Sequence, residues 1–270
     1  MVEMADRAAR GLDRQGYILP EVSLAWVRSP YPPVIAALRE QCRTVFLSDL
    51  HSLYLTGSVV KGTARPGQSD LDALAVLQVA PAPAHEELAR RVADAVAERY
   101  PFVTEVSLLL AGREDILSEE ERYDMGFFVK SLCVCVAGKD LGEHLPQYRP
   151  SIALAGGTNG NIRLLLDDRR RRLVSTTDPA EVAAICRGIM RKIVRTGFTL
   201  VMPRYQGWTS DLTRSATIFA SYYPSQSEAM QEALTLAQVP STEKTRVLTL
   251  IDTFGAWLAG EYDRVILGTG

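Results

Sequence analysis

The chain has 270 residues, 47% of them hydrophobic, with a formal net charge of −2 and a sequence pI near 6.0. That length allows two domains, and the charge balance argues against the global basic field of a nucleic-acid-binding protein. The charged N-terminus lacks a signal peptide's apolar segment, and no run approaches the roughly 20 apolar residues of a membrane span. We therefore expect a cytoplasmic protein. Its four cysteines lack metal-ligand spacing and are expected to be core thiols.

The first half of the sequence alternates helices and strands. A helical pattern covers residues 34–48, and strands are predicted in "SLYLTGS" and "LDALAVLQV". A helix is predicted next, and then two more strands, in the segments "HEELARRVADAVAERY", "FVTEVSLLL" and "FVKSLCVCVAG". The first two strands lie too close in sequence for a parallel crossover helix, so the pattern favours a small mixed α/β sheet.

The second half is predicted to be helical. Residues 146–160 are rich in Pro, Gly and Asn and are predicted to form a linker loop. Asp178 as N-cap and Pro179 at the first helical position then open a long helix. The expected fold class is α+β, with a small mixed-sheet domain and its N-terminal helical arm at residues 1–145. An all-helical domain is expected at residues 161–270.

Two acidic residues, Asp70 and Asp72, stand one residue apart where an apolar strand begins. Alternate residues of a strand point to the same side, so the two carboxylates are expected to lie together. Like charges that are partly desolvated need a cation between them. Mg²⁺ meets this need, because it takes one or two carboxylates and completes its shell with water and substrate phosphates.

A Gly-Ser turn before the aspartates offers a place for phosphate. Gly57 permits close approach of the backbone, and Ser58 adds a hydroxyl group and an N–H group at what could be a helix start. Ser69 adds a further small donor, while Lys61 and Arg65 bring positive charge to the same loop. These residues are therefore candidates for binding a phosphorylated substrate.

The order of these features is a strand, Gly57-Ser58, eleven intervening residues, and Asp70-Leu71-Asp72 opening a second strand. It resembles the signature of the nucleotidyltransferase superfamily that includes DNA polymerase beta. In layout the chain is similar to antibiotic adenylyltransferases that have a helical C-terminal domain. The resemblance implies that Asp70 and Asp72 bind Mg²⁺, expected to be two ions, which carry a nucleoside triphosphate, expected to be ATP.

The same resemblance implies a third carboxylate on the neighbouring strand, for which Glu105 is the candidate. A carboxylate there could accept the proton of an attacking hydroxyl group or bind a metal, and the sequence leaves both roles open. A solvent-facing charge at a strand edge is the structural alternative. In the helical domain, Lys192 and Arg195 lie on a basic ridge that could contact the triphosphate, or that could simply be solvated.

The expected reaction moves AMP from ATP to a hydroxyl group of a small molecule, such as an antibiotic, and releases pyrophosphate. Two alternatives stay open: a protein or tRNA acceptor, as in nucleotidyltransferases of toxin–antitoxin systems, and a non-catalytic nucleotide-binding module. A glycosyltransferase would need an α/β domain before its Asp-x-Asp motif, and only 69 residues precede Asp70. The sequence specifies neither the acceptor nor the oligomeric state.

Overall fold

The computed structural model describes residues 7–268, and their contacts divide them into two units. The sheet unit runs from Leu19 to Gln147. The helical unit combines the described residues up to Ile18 with those from Tyr148 onward. None of the helices within residues 7–268 is both long enough and apolar enough to cross a membrane.

The sheet unit is built on a four-stranded mixed sheet with strand order β3-β2-β1-β4. Its elements, in chain order, are α1 (Tyr31–Phe46), β1 (Leu50–Thr56), β2 (Leu71–Leu77), α2 (Pro83–Arg99), β3 (Val106–Gly112), α3 (Arg113–Leu117) and β4 (Val134–Gly138). Strand β1 pairs antiparallel with β2 and β4, while β2 pairs parallel with β3 across α2. The α+β class and the mixed sheet predicted from the sequence are confirmed.

The two faces of the sheet bury different side chains. One face packs against α1 and α2 and includes Leu53 and Leu55 of β1 with Leu71 and Ala73 of β2. The other face buries the intervening residues, Tyr54, Leu74 and Val76, together with Ile116 and Val129. Because side chains alternate along a strand, Asp72 belongs to this second face.

A buried hydroxyl network ties β1 to the turn after β4. The Tyr54 hydroxyl group, on a side chain only 1% exposed, donates to Asp140 Oδ1 at 3.0 Å and accepts from the Leu141 N–H at 2.6 Å. Asp140 Oδ1 also accepts from the Gly142 N–H at 2.8 Å. Gly138 lies so close to β1 that a Cβ there would be 2.1 Å from the His51 carbonyl oxygen. The segment from Gly138 to Leu141 therefore packs against β1 at the edge of the sheet that β4 forms.

We expect Asp140→Ala to destabilise the sheet unit by about 1–3 kcal/mol, because it leaves the buried Tyr54 hydroxyl group without its acceptor. The measurement is urea-induced unfolding. Lys139→Ala, at the exposed neighbouring position, is the control and should change the free energy of unfolding by less than about 0.5 kcal/mol. Equal effects of the two variants would contradict the assigned role of Asp140.

The helical unit surrounds one long central helix. Its elements, in chain order, are α4 (Ile152–Asn159), α5 (Ile162–Ser175), α6 (Pro179–Tyr205), α7 (Leu212–Tyr222), α8 (Ser227–Gln238), α9 (Lys244–Leu250) and α10 (Ala256–Tyr262). Helix α6 contacts α4, α5, α7, α8 and α10. As predicted, α6 begins with Pro179 after an Asp178 cap, whose carboxylate accepts from the Ala180 N–H at 2.9 Å.

Polar side chains are buried where α4, α6 and α10 meet. The Asn159 amide donates to Thr199 Oγ1 at 3.0 Å, and that hydroxyl oxygen lies 3.1 Å from the Tyr262 hydroxyl oxygen. Tyr262 in turn donates to the Ala155 carbonyl oxygen at 2.6 Å. Because buried polar groups are costly unless they are paired, these bonds fix the helices in one arrangement.

Two local predictions are wrong. The predicted linker loop at residues 146–160 contains helix α4, which buries Leu154, Ala155 and Asn159. The predicted fourth strand begins only at Val134, because Phe128–Leu132 forms a π-helical turn.

The N-terminal arm was predicted to accompany the sheet domain, but its described residues pack within the helical unit. Arg10 donates from its guanidinium group to the Tyr205 carbonyl oxygen at 2.7 Å, and its own carbonyl oxygen accepts from the Trp208 N–H at 2.8 Å. The arm is therefore anchored to the end of α6.

Candidate active site

Asp72 is the acidic residue most firmly placed by the sheet. It is the second residue of β2 and stands between Thr56 of β1 and Ser107 of β3 in the strand register. The Thr56 hydroxyl group donates to the Leu132 carbonyl oxygen at 2.6 Å, which fixes the neighbouring strand end. Asp72 is only partly exposed, so its carboxylate lies at the border of the second buried face.

Gly57, directly after β1, makes room for that carboxylate. Its φ of +77° lies in the left-handed region that favours glycine. A Cβ at this position would be 2.5 Å from Asp72 Oδ2 and 3.4 Å from Asp72 Cγ. The Asp72 carboxylate therefore occupies the space that a side chain at position 57 would need, so that a larger residue there would have to displace it.

Ser58, the residue after Gly57, carries an unsatisfied polar atom. Its hydroxyl oxygen is buried and has no hydrogen-bond partner in the structure. The chain after it forms hydrogen-bonded turns, with the Lys61 N–H donating to the Gly57 carbonyl oxygen at 3.1 Å. The helix start expected after Ser58 is thus a turn. A buried hydroxyl group without a partner is one that a ligand can satisfy.

Asp70 lies one residue before β2, on a loop held at both ends. The Ser69 hydroxyl oxygen accepts from the Arg65 N–H at 2.9 Å, and the Ser69 carbonyl oxygen accepts from the Thr104 N–H at 3.1 Å. The Leu71 N–H donates to the Glu105 carbonyl oxygen at 2.9 Å. Ser69 therefore holds the loop, in addition to being a candidate phosphate contact.

Glu105 precedes β3, the edge strand of the sheet. Its side chain is exposed and borders a surface hollow between β3 and α2. The parallel ladder between β2 and β3 begins with Leu71 opposite Val106, so Asp70 and Glu105 are the residues directly before its first pair. Within residues 7–268, however, no three acidic, histidine or cysteine side chains are grouped closely enough to hold a metal ion. The three carboxylates do not form one closed ligand set.

The residues around Asp72 nevertheless fit a Mg²⁺-bound triphosphate. Mg²⁺ needs only one or two protein carboxylates, since water and phosphate oxygens complete its octahedral shell. Asp70 and Asp72 are the two residues that would supply these carboxylates. The glycine backbone at Gly57 and the unpartnered hydroxyl group of Ser58 offer the close approach and the donor that a phosphate group requires.

Cys133 is buried on the second face of the sheet, the face to which Asp72 belongs. Burial raises the pKa of its thiol, and the carboxylates of Asp140 and Asp72 add to that rise, while the Thr56 hydroxyl group opposes it. A raised thiol pKa means that the nucleophilic thiolate is scarce. Cys133 is therefore inert, in agreement with the core role expected for the cysteines.

Lys192 and Arg195 lie in the helical unit, on α6. They border a cavity of about 400 Å³ between α5 and α6, together with Arg169 and Arg172 of α5. The Lys192 ammonium group donates to the Thr158 carbonyl oxygen at 3.1 Å. The structure thus brings the two predicted phosphate contacts together with two further cations.

One feature of the site needs more than the sequence. The packing of Asp72 against Gly57 depends on the register between β1 and β2. A glycine at the end of a strand is only a general sign that another group approaches the backbone closely.

Comparisons with known proteins find similarity to one family model and to solved structures. Residues 35–133 match the family model described as "Nucleotidyltransferase domain". The solved structure of the spectinomycin adenyltransferase AAD(9) from Enterococcus faecialis with ATP and spectinomycin has a similar fold, with a TM-score of 0.50. The sequence identity is 14%, and the match covers 86% of this chain and 98% of that chain. No curated protein sequence matches the chain significantly.

Proposed function

We propose that this protein, whose residues 35–133 match the nucleotidyltransferase domain model, is a nucleotidyltransferase that transfers AMP from ATP to a hydroxyl group of a small molecule. The observation that carries the proposal is the contact of the Asp72 carboxylate with the Gly57 backbone beside the unpartnered Ser58 hydroxyl group. Together, Asp72, Gly57 and Ser58 offer a carboxylate for a metal ion, a backbone that a phosphate group can approach closely, and a hydrogen-bond donor for that phosphate group.

In this proposal, Asp70 and Asp72 hold Mg²⁺, expected to be two ions, while Gly57, Ser58 and Lys61 receive the triphosphate. When bound by these two carboxylates, Mg²⁺ would neutralise charge on the phosphate oxygens and lower the pKa of a hydroxyl group coordinated to it. Lys192 and Arg195 are proposed as further triphosphate contacts. The cavity that they share with two arginines supports an anion-binding role.

Of the two roles left open for Glu105, we propose the general base. Its exposed side chain, directly before the edge strand β3, favours proton transfer with an acceptor that arrives from solvent. The acceptor oxygen forms a bond to the α-phosphorus, and the bond from that phosphorus to the α–β bridging oxygen breaks. The hydroxyl proton moves to the Glu105 carboxylate, and pyrophosphate leaves with the bridging oxygen.

The nature of the two substrates is supported by the structural neighbour. That protein was solved with ATP and with spectinomycin, an antibiotic. We therefore propose ATP as the donor and an antibiotic bearing hydroxyl groups as the first acceptor class to test.

The test incubates the purified protein and Mg²⁺ with each α-labelled nucleoside triphosphate and a panel of acceptors. The panel contains aminoglycosides, spectinomycin, lincosamides, tRNA and a protein extract. The expected result is label transfer from ATP to a small molecule, with an equal amount of pyrophosphate released. Transfer only to tRNA or protein would overturn the acceptor class, and absence of transfer and pyrophosphate with every acceptor would overturn the reaction.

We expect Glu105→Gln to lower kcat by about 100-fold or more, because a positioned general base contributes about 10²–10⁴-fold. The affinity for Mg·ATP should stay within about two-fold, since this carboxylate is not proposed to bind the metal. Glu86→Gln, which removes another exposed carboxylate bordering the same hollow, is the control and should keep wild-type kcat. Loss of Mg·ATP binding in Glu105→Gln would instead assign Glu105 to the metal.

A further inference from the structure

Trp26 is an aromatic residue that the fold leaves at the surface. Its side chain is 47% exposed, whereas every other Phe, Tyr and Trp within residues 7–268 is buried or partly buried. Exposure alone does not mark a site, because single apolar side chains are common on protein surfaces. What distinguishes Trp26 is the part of the sheet unit against which it is held.

The segment that carries Trp26 is anchored on both sides. Val22 is buried in the core between the sheet and its helices, and Val27 packs against the same core. Between them, Ser23 caps a short 3-10 turn, Leu24–Trp26. The backbone of Trp26 therefore has a fixed position, from which the indole ring is exposed to solvent.

This segment packs against the turn that follows Ser58. The Ser23 N–H donates to the carbonyl oxygen of Val60, a residue buried in the same core, at 2.9 Å. Two residues later, Gly62 has a φ of +71°, and a Cβ there would lie 3.0 Å from the Trp26 carbonyl oxygen and 3.2 Å from Trp26 Cβ. A glycine at position 62 thus permits Trp26 to approach the turn closely.

Gly62 in turn lies near the proposed phosphate-binding residues. The Thr63 N–H donates to the Ser58 carbonyl oxygen at 3.0 Å, so the turn folds back on Ser58. With standard bond lengths, these contacts leave at most about 10 Å between Trp26 Cβ and the Ser58 carbonyl oxygen. A nucleoside triphosphate can span this distance, because a ribose and a chain of phosphates separate its base from its terminal phosphate.

We propose that Trp26 binds the base of the donor nucleotide by stacking its indole ring on the base, while the triphosphate lies at the turn after Gly57. This inference rests on the proposed function, because it assumes that the Gly57–Ser58 turn receives the triphosphate. Every base has a face on which an aromatic ring can stack, so stacking adds affinity without choosing a base. Trp26 therefore contributes to binding of the nucleoside and leaves the choice of adenine to other contacts.

The test compares ATP with inorganic tripolyphosphate, which has the phosphate chain but no base. Each is titrated with Mg²⁺, without acceptor, by isothermal titration calorimetry. Trp26→Ala should weaken ATP binding about ten-fold, within the range for one stacked base, and should change the Kd of tripolyphosphate by less than about two-fold. Trp26→Phe, which keeps an aromatic face, should restore most of the ATP affinity. In the transfer assay, Trp26→Ala should raise KM for ATP and leave kcat unchanged.

Leu24→Ala is the matched control, because it removes another exposed apolar side chain of the same turn. It should bind both ligands as the wild type does. Tryptophan fluorescence gives a second readout. ATP should quench the emission of the wild type and of Leu24→Ala, and this quenching should be lost in Trp26→Phe, in which Trp208 and Trp257 still emit.

Unchanged ATP affinity in Trp26→Ala, equal weakening of both ligands, or quenching that survives in Trp26→Phe would overturn the inference. Asp72→Asn separates this failure from that of the proposed function. If the wild type binds Mg·ATP and Asp72→Asn binds it more weakly, the donor site stands whatever Trp26 does. If the wild type binds neither ATP nor tripolyphosphate, the proposed function fails and the inference fails with it.

Discussion

Asp72→Asn should lower kcat/KM for nucleotidyl transfer by at least about 1,000-fold while leaving the protein folded. Asparagine has the same shape but no negative charge, so the site loses one of the two carboxylates proposed to hold Mg²⁺ beside the triphosphate. Removing one group that stabilises charge in the transition state typically costs about 10²–10³-fold, and loss of the metal adds to that cost. The measurement is steady-state transfer of α-labelled AMP.

Stability is the readout that separates a catalytic loss from misfolding. Asp72 is partly exposed near the start of β2, and asparagine keeps the shape of its side chain. The melting temperature of Asp72→Asn should therefore stay close to that of the wild type. Asp94→Asn, at an exposed position on α2, is the control and should change neither property. More than about a tenth of wild-type transfer in Asp72→Asn would reject Asp72 as a metal ligand.

Gly57→Ala is the second variant with a large expected effect. It forces alanine into φ +77° and places a Cβ 2.5 Å from Asp72 Oδ2. The left-handed conformation costs about 1–2 kcal/mol of stability in a residue that has a Cβ. Beyond this cost, the Asp72 carboxylate must move, and a displacement of about 1 Å can lower a rate about 100-fold. We therefore expect at least that loss of kcat/KM.

Gly67→Ala separates the two consequences of the change. Gly67 has the same φ of +77°, but a Cβ there would meet nothing within 4 Å. Its backbone cost is therefore the same, without any displacement of a carboxylate. We expect both variants to melt at similarly lowered temperatures, with near-normal transfer in Gly67→Ala alone. Equal activities in the two variants would show that the contact with Asp72 has no catalytic meaning.

Local patterns were enough to predict the part of the fold that carries the site. Strand β2 was predicted at its observed start because an unbroken apolar run follows Asp72, and β1 because its apolar segment ends at a Gly-Ser turn. The same patterns placed Gly57, Ser58 and Asp72 close together. What they could not supply was the register between β1 and β2, which places the Asp72 carboxylate on the Gly57 backbone.

Helix α4 escaped prediction because its own sequence disfavours a helix. It contains Gly156 and Gly157, and each glycine costs about 1 kcal/mol relative to alanine in a helix interior. The helix is held instead by burial of Leu154 and by the bond from Tyr262 to the Ala155 carbonyl oxygen. Its stability comes from residues roughly a hundred positions away, which no local pattern contains.

The anchoring of the N-terminal arm has a consequence for the order in which this chain can fold during synthesis. Arg10 leaves the ribosome early, yet the carbonyl group that it binds belongs to a residue 195 positions later. The sheet unit, which lies between these two segments, can complete its own contacts first, since domains generally fold as units while the chain is made. The arm can make its contacts only after α6 has been synthesised, so the helical unit completes its folding after the sheet unit. Arg10 and its neighbours therefore reach their final contacts late, although they are made before the sheet unit.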